Sequence, residues 1–131
     1  MFLVDTSLWV CMFRRREPWD PDRFVAWDEI VTCGPVIQEV LGGFKDNRAY
    51  RLARDAMLDL PRVESPAPFD LFVAAADLYR LGRRAGVRIR TAADCLIAAC
   101  ALRNDLTVVH DDADFEHLAR IAPLDQRRIR T

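Results

Sequence analysis

Three short, nearly continuous apolar runs set the limits on what this chain can fold into: Phe2-Leu3-Val4, residues 30–33 (Ile-Val-Thr-Cys) and residues 106–109 (Leu-Thr-Val-Val). Each is too short for a helix and none alternates apolar with polar, so each reads as a strand buried on both faces, the habit of parallel strands. Parallel neighbours need long crossover connections, and the intervening segments have helical periodicity. The expected class is therefore α/β, with a short, mainly parallel central sheet flanked by helices. At 131 residues, with no linker, repeat or low-complexity stretch, the chain suits one domain over residues 1–131.

The helices follow from spacing and caps. Asp5-Thr6-Ser7 offers N-cap chemistry to a helix through Leu8, Trp9, Val10, Met12 and Phe13, ended by Arg14 to Arg16. After a two-proline loop, Asp22 is expected to open a helix carrying Phe24, Val25, Trp27, Asp28 and Ile30. Pro35 suits the first turn of a helix bearing Val36, Ile37, Val40 and Leu41, with Glu39 beside that stripe. Asn47 is the expected N-cap of an amphipathic helix with Ala49, Leu52, Ala53, Ala56, Met57 and Leu60 on one side, stopped by Pro61. Residues 62–65 form a candidate strand. Asp70 is expected to begin the next helix, which ends near Gly82. Thr91-Ala92-Ala93-Asp94 has capping-box spacing ahead of a run, Cys95 to Leu102, that is apolar all round and so buried. A short helix with Phe115, Leu118 and Ala119 and an edge strand within 121–129 complete the expectation.

Bulk charge excludes a polycation. The formal net charge is −1, so any nucleic-acid surface has to be local, and the arginine clusters at 14–16, at 83, 84, 88 and 90, and at 127, 128 and 130 read one by one as solvated surface. Cys11, Cys33, Cys95 and Cys100 show no C-x-x-C spacing and sit among apolar neighbours, as buried thiols of a reducing cytosol would. Trp9, Phe13, Phe72 and Tyr79 read as core. The opening residues lack a basic n-region and break at Asp5, and no stretch approaches the ~20 apolar residues of a membrane span. The expected location is the cytoplasm.

Five acids stand where strands give way to helices. Asp5 ends the first run, Asp112 and Asp114 follow the third, Asp94 heads the apolar helix, and Glu39 lies on another helix. Each alone has a plain structural explanation, as an N-cap, a capping-box acid or a solvated helical acid. Together they share the carboxyl-end crevice of an open sheet, where clustered carboxylates repel one another and favour a divalent cation. An all-oxygen set is a hard site suited to Mg2+ or Mn2+, and the chemistry it supports is metal-assisted hydrolysis of a phosphate ester. Thr6 and Ser7 are candidates to position a phosphate or a water. His110 reads as a satisfied or solvated histidine, since the other histidine, His117, gives it no ligand spacing.

The run Val4-Asp5-Thr6-Ser7-Leu8-Trp9 resembles the opening of PIN-domain proteins, in particular VapC-type toxins of toxin–antitoxin pairs. Val36-Ile37-Gln38-Glu39-Val40, Thr91-Ala92-Ala93-Asp94-Cys95-Leu96-Ile97-Ala98 and Val109-His110-Asp111-Asp112-Ala113-Asp114-Phe115 follow in the family's order, so the resemblance covers essentially the whole chain. It implies a PIN-like fold and a Mg2+- or Mn2+-dependent endoribonuclease acting on an RNA such as a tRNA or rRNA. Asp5, Glu39, Asp94 and Asp112 match the family's acidic quartet as catalytic residues. Asp5, Asp94 and Asp112, joined by the auxiliary Asp114, are the implied metal ligands. The implied partner is a VapB-type antitoxin, and the implied assembly a homodimer. Asp111 departs from the family pattern by doubling the acid where a basic residue is common.

A competing expectation is a non-catalytic PIN-like module that binds RNA or protein while its acids only cap helices. A phosphatase of the D-x-D class would want a second acid where Ser7 stands, and a phospho-receiver would want a catalytic lysine, whereas Lys45 is the single lysine.

Overall fold

The structure, a computed structural model, describes residues 1–14 and 25–130. Four parallel strands lie in the order β2-β1-β3-β4: β1 (Phe2–Val4), β2 (Ile30–Val31), β3 (Thr107–His110) and β4 (Gln126–Arg128). The register pairs Leu3 with Val31 on one side and with Val108 on the other. Leu3, Val4, Val108 and Val109 are fully buried, as expected for central strands covered on both faces.

Among the described residues, six α-helices flank the sheet: α1 (Thr6–Arg14), α2 (Gly34–Gly42), α3 (Asn47–Asp59), α4 (Phe69–Arg84), α5 (Ala92–Arg103) and α6 (Ala113–Ala119). The all-apolar α5 is the buried helix the sequence calls for, with Cys95, Ile97, Ala98, Ala99, Cys100 and Ala101 in the core. Its small residues let it lie close to its neighbours. Gly82 serves the same closeness from α4: a Cβ there would stand 3.3 Å from Ile89 Cγ1 and 3.4 Å from Ile121 Cδ1. The helix ends two residues beyond it, at Arg84.

Several expectations are corrected. Of the helix expected from Asp22, the first residues lie outside the described ones. The rest holds one 3-10 turn, Trp27–Glu29, with no side-chain cap, and Ile30 leaves it extended to pair with Phe2. The second strand is shorter than residues 30–33, because Cys33 is already the N-cap of α2. Residues 62–65 contribute one bridge, Thr32 to Arg62, before Glu64 turns into the left-handed region at φ 54° and accepts bonds from Arg103 and Asn104. Asp46, not Asn47, caps α3, since its charged carboxylate takes the Ala49 amide at 2.7 Å. Pro68 replaces Asp70 at the head of α4. On α3, Leu52 is exposed while Ala53 and Met57 carry the burial. Trp9 is core, but Phe72 and Tyr79 are exposed on α4, and Cys11 is only partly buried. The cysteines are free thiols.

Candidate active site

Parallel pairing places the ends of β1 and β3 side by side. The Asp5 amide donates to the Val109 carbonyl at 2.8 Å, which locks Asp5 against the exit of β3. Two residues beyond that strand, Asp112 is the N-cap of α6 and accepts the Asp114 amide at 2.9 Å. Asp94 is the third residue of α5, whose amino end points into the same crevice. Asp94, Asp112 and Asp114 each bring one carboxylate oxygen into a group lying within 4.8 Å of one another. Asp5 and Glu39 are close enough for their charges to act on the cluster and on each other.

Local chemistry fixes each acid. Asp5 is buried, and its Oδ2 accepts from the Ser7 hydroxyl at 2.6 Å and the Ser7 amide at 3.0 Å. The same Ser7 hydroxyl accepts the Asp111 amide at 3.0 Å, so one residue of α1 ties Asp5 to the loop carrying Asp112. The Thr6 hydroxyl donates to Glu39 Oε1 at 3.1 Å, linking α1 to α2. His110 is fully buried: its Nδ1 accepts the Asp112 amide at 3.1 Å, which puts its proton on Nε2, facing Gln126 Oε1 at 2.6 Å. It is a satisfied histidine that braces the turn into Asp112.

The capping explanation holds for Asp112 and partly for Asp5 and Asp94. Thr91 is the cap of α5, its hydroxyl accepting the Asp94 amide at 3.3 Å. The Asp94 carboxyl bonds with the Thr91 side chain and, beyond any capping role, also meets Asp114. Burial foremost, then the hydrogen bond with Asp114 and the charges of Asp112 and Asp5, push Asp94 up to about 8. Burial likewise raises Asp5 and Glu39 above the ordinary carboxylate range. Burial works on Asp114 as well, but hydrogen bonds from Asp94 and Arg90 outweigh it and hold this acid low. A proton shared by Asp94 and Asp114 thus does part of the work a cation would do.

Arg90 does another part, and nothing in the sequence marks it out from the arginines around it. Its Nη2 donates to Asp112 Oδ1 at 2.6 Å, its Nε to Asp114 Oδ1 at 3.4 Å, and its amide to Asp114 Oδ2 at 2.9 Å. Asp111, the doubled acid, accepts from Arg128 Nε at 3.1 Å. Three hard oxygens in one small group, one of them on a buried acid that retains a proton at neutral pH, fit an oxygen-preferring divalent cation.

A model of the PIN domain matches residues 2–121, a span that includes all five acids. The chain belongs to the PIN-domain family. The VapC ribonuclease Mb1587 of Mycobacterium bovis is 38% identical over 129 residues, covering 95% of this PIN protein and 96% of the relative. Ribonuclease VapC11 of Mycobacterium tuberculosis matches to the same extent. Among solved structures, VapBC-5 from Mycobacterium tuberculosis, a member of the VapBC family of toxin-antitoxin systems, aligns with a TM-score of 0.71 at 21% identity over 97% of each chain. VapBC2 from Rickettsia felis, bound to a DNA fragment from their promoter, aligns with a TM-score of 0.73 at 15% identity over 98% of each chain. These structural likenesses are of fold.

Proposed function

We propose that this PIN domain is the toxin of a toxin–antitoxin pair and hydrolyses RNA phosphodiester bonds at the acidic crevice. The chain is an endoribonuclease of the VapC type, in keeping with its 38% identity to VapC ribonucleases. The observation that carries the chemistry is the Asp94, Asp112 and Asp114 group, with its oxygens within 4.8 Å. These three would hold the ion, Mg2+ or Mn2+, with Asp5 joining through water. When bound, the ion acidifies a water and neutralises charge developing on the phosphate.

The chain's own residues supply position and proton handling. Ser7 aims Asp5, and Thr6 aims Glu39, so the two acids can orient the attacking water. Glu39, raised by burial, is a better proton acceptor than an ordinary carboxylate. Thr6 and Ser7 therefore serve the water by holding the acids that hold it. The partner is a VapB-type antitoxin, the substrate an RNA of the tRNA or rRNA class, and the assembly a homodimer in the cytoplasm. Free thiols agree with that compartment.

The deciding experiment incubates purified protein with total cellular RNA, with and without Mg2+ or Mn2+, and maps the new ends. Discrete cleavage that requires the ion and disappears in Asp94→Asn is expected. Equal cleavage by the variant, or none by the wild type with either ion, overturns the reading and favours the non-catalytic module.

A further inference from the structure

We propose that Arg90 is a tethered competitor of the divalent ion: it occupies Asp112 and Asp114 while the ion is absent and swings out to admit it. This rests on the ion-binding reading above and concerns a residue that reading does not use.

Asp112 Oδ1 already accepts two hydrogen bonds, from Arg90 Nη2 at 2.6 Å and from the Asp114 amide at 2.9 Å. A carboxylate oxygen has two lone pairs, so this one is filled. Asp114 meets Arg90 through both oxygens, at 3.4 Å and 2.9 Å. An ion drawing on Asp94, Asp112 and Asp114 would lie beside a guanidinium already bonded to two of those acids, and two cations so close repel each other strongly. Moving the guanidinium away relieves that repulsion.

Arg90 is built to leave. Its main chain stays fixed through its amide on Asp114 Oδ2 and through Thr91, the cap of α5. Its side chain is 60% exposed, so the head can move into water without giving up buried area. The bonds it surrenders are charge-assisted but solvent-screened, hence modest in strength. A planar fork reaches both acids at once, which a lysine ammonium does not. In the ion-free protein Arg90 relieves the repulsion that would otherwise fall on Asp112 and Asp114.

The test compares Mg2+ binding by calorimetry in wild type, Arg90→Ala, Arg90→Lys and Arg88→Ala. Arg88 supplies a charge control: it lies two residues away, and its side chain makes none of the contacts to the acids described above. Alongside, the Arg90 Nε–H signal is followed by 15N NMR during Mg2+ addition. Arg90→Ala is expected to bind Mg2+ about tenfold tighter, equivalent to ~1.4 kcal/mol, with Arg90→Lys intermediate and Arg88→Ala changed by less than about twofold. The Nε–H signal, protected at first, should move to a solvent-exchanging position as the ion binds. Equal gains in Arg90→Ala and Arg88→Ala would mean that general charge, not displacement, is at work, and would overturn the proposal. So would unchanged or weaker binding in Arg90→Ala, or an Nε–H signal that stays protected at saturation. Absence of Mg2+ binding in the wild type overturns the ion site itself, a distinguishable outcome.

Discussion

Replacing Asp94 by Asn is expected to stabilise the ion-free protein while destroying its function, and the size of the gain should depend on pH. Asp94 is 6% exposed, and its carboxyl rises from an ordinary 3.8 to about 8 in the folded chain. Between those two values the folded chain keeps a proton that the unfolded chain has released. Stability of the wild type therefore falls as pH rises through this window, by ~1.4 kcal/mol per unit for one proton, and levels off above it. The four-unit span sets a ceiling of about 5–6 kcal/mol. Asp114, held low by the same hydrogen bond, offsets part of this, so the gain at pH 7.5 stays below that ceiling. Asn keeps the shape, carries no charge, and can still donate to Asp114. The Thr91 cap uses the residue-94 amide and survives. Urea unfolding of both proteins in EDTA, at pH steps from 5 to 9, measures the gap directly. It should be small near pH 5, widen towards pH 8 and then hold, and added Mg2+ should reverse the order by stabilising only the wild type. Parallel stability curves from pH 5 to 8, or a variant less stable than wild type at pH 8, would refute the account of Asp94 as a buried acid held protonated by its neighbours.

Ser7→Ala removes the hydroxyl that joins Asp5 to the Asp111 amide. It should cost about 1–2 kcal/mol in urea unfolding and lower kcat more than KM, because the misplaced Asp5 acts on the water and not on RNA binding. His110→Phe leaves the Asp112 amide and Gln126 without their buried partner, and should cost roughly 2–4 kcal/mol with loss of activity, read by thermal melts and RNA cleavage. Asp46→Ala removes the α3 cap and should cost ~1 kcal/mol while cleavage is unchanged, since that helix end lies outside the crevice. Mg2+ at a hundred times its Kd should stabilise the wild type by about 2.7 kcal/mol and should barely move the unfolding midpoint of Asp112→Asn.

Short apolar runs and helical spacing were enough to derive the parallel sheet and the buried α5, because a strand covered on both faces and a helix covered all round each have few other sequences open to them. The acids were legible for a related reason: strand ends in an open parallel sheet share one crevice, so Asp5 and Asp112 had to be neighbours. Boundaries were not legible where one residue decides between two partners. Ile30 had to choose between a helical turn and a bond to β1, and Cys33 between a strand and the head of α2.

What the chain determined by itself, then, is local and periodic: the class, the helix faces and a set of carboxylates bound for one end of the sheet. What the tertiary structure alone decided is how those carboxylates are charged and held. Hydrogen bonds spanning 24 residues from Arg90 to Asp114, and 104 residues from Asp111 to Ser7, depend on the packed positions of whole elements. So does the burial that forces Asp94 to keep its proton. Spacing along a sequence carries no record of such meetings, because they arise only when folding excludes water and packs like charges from distant elements against one another.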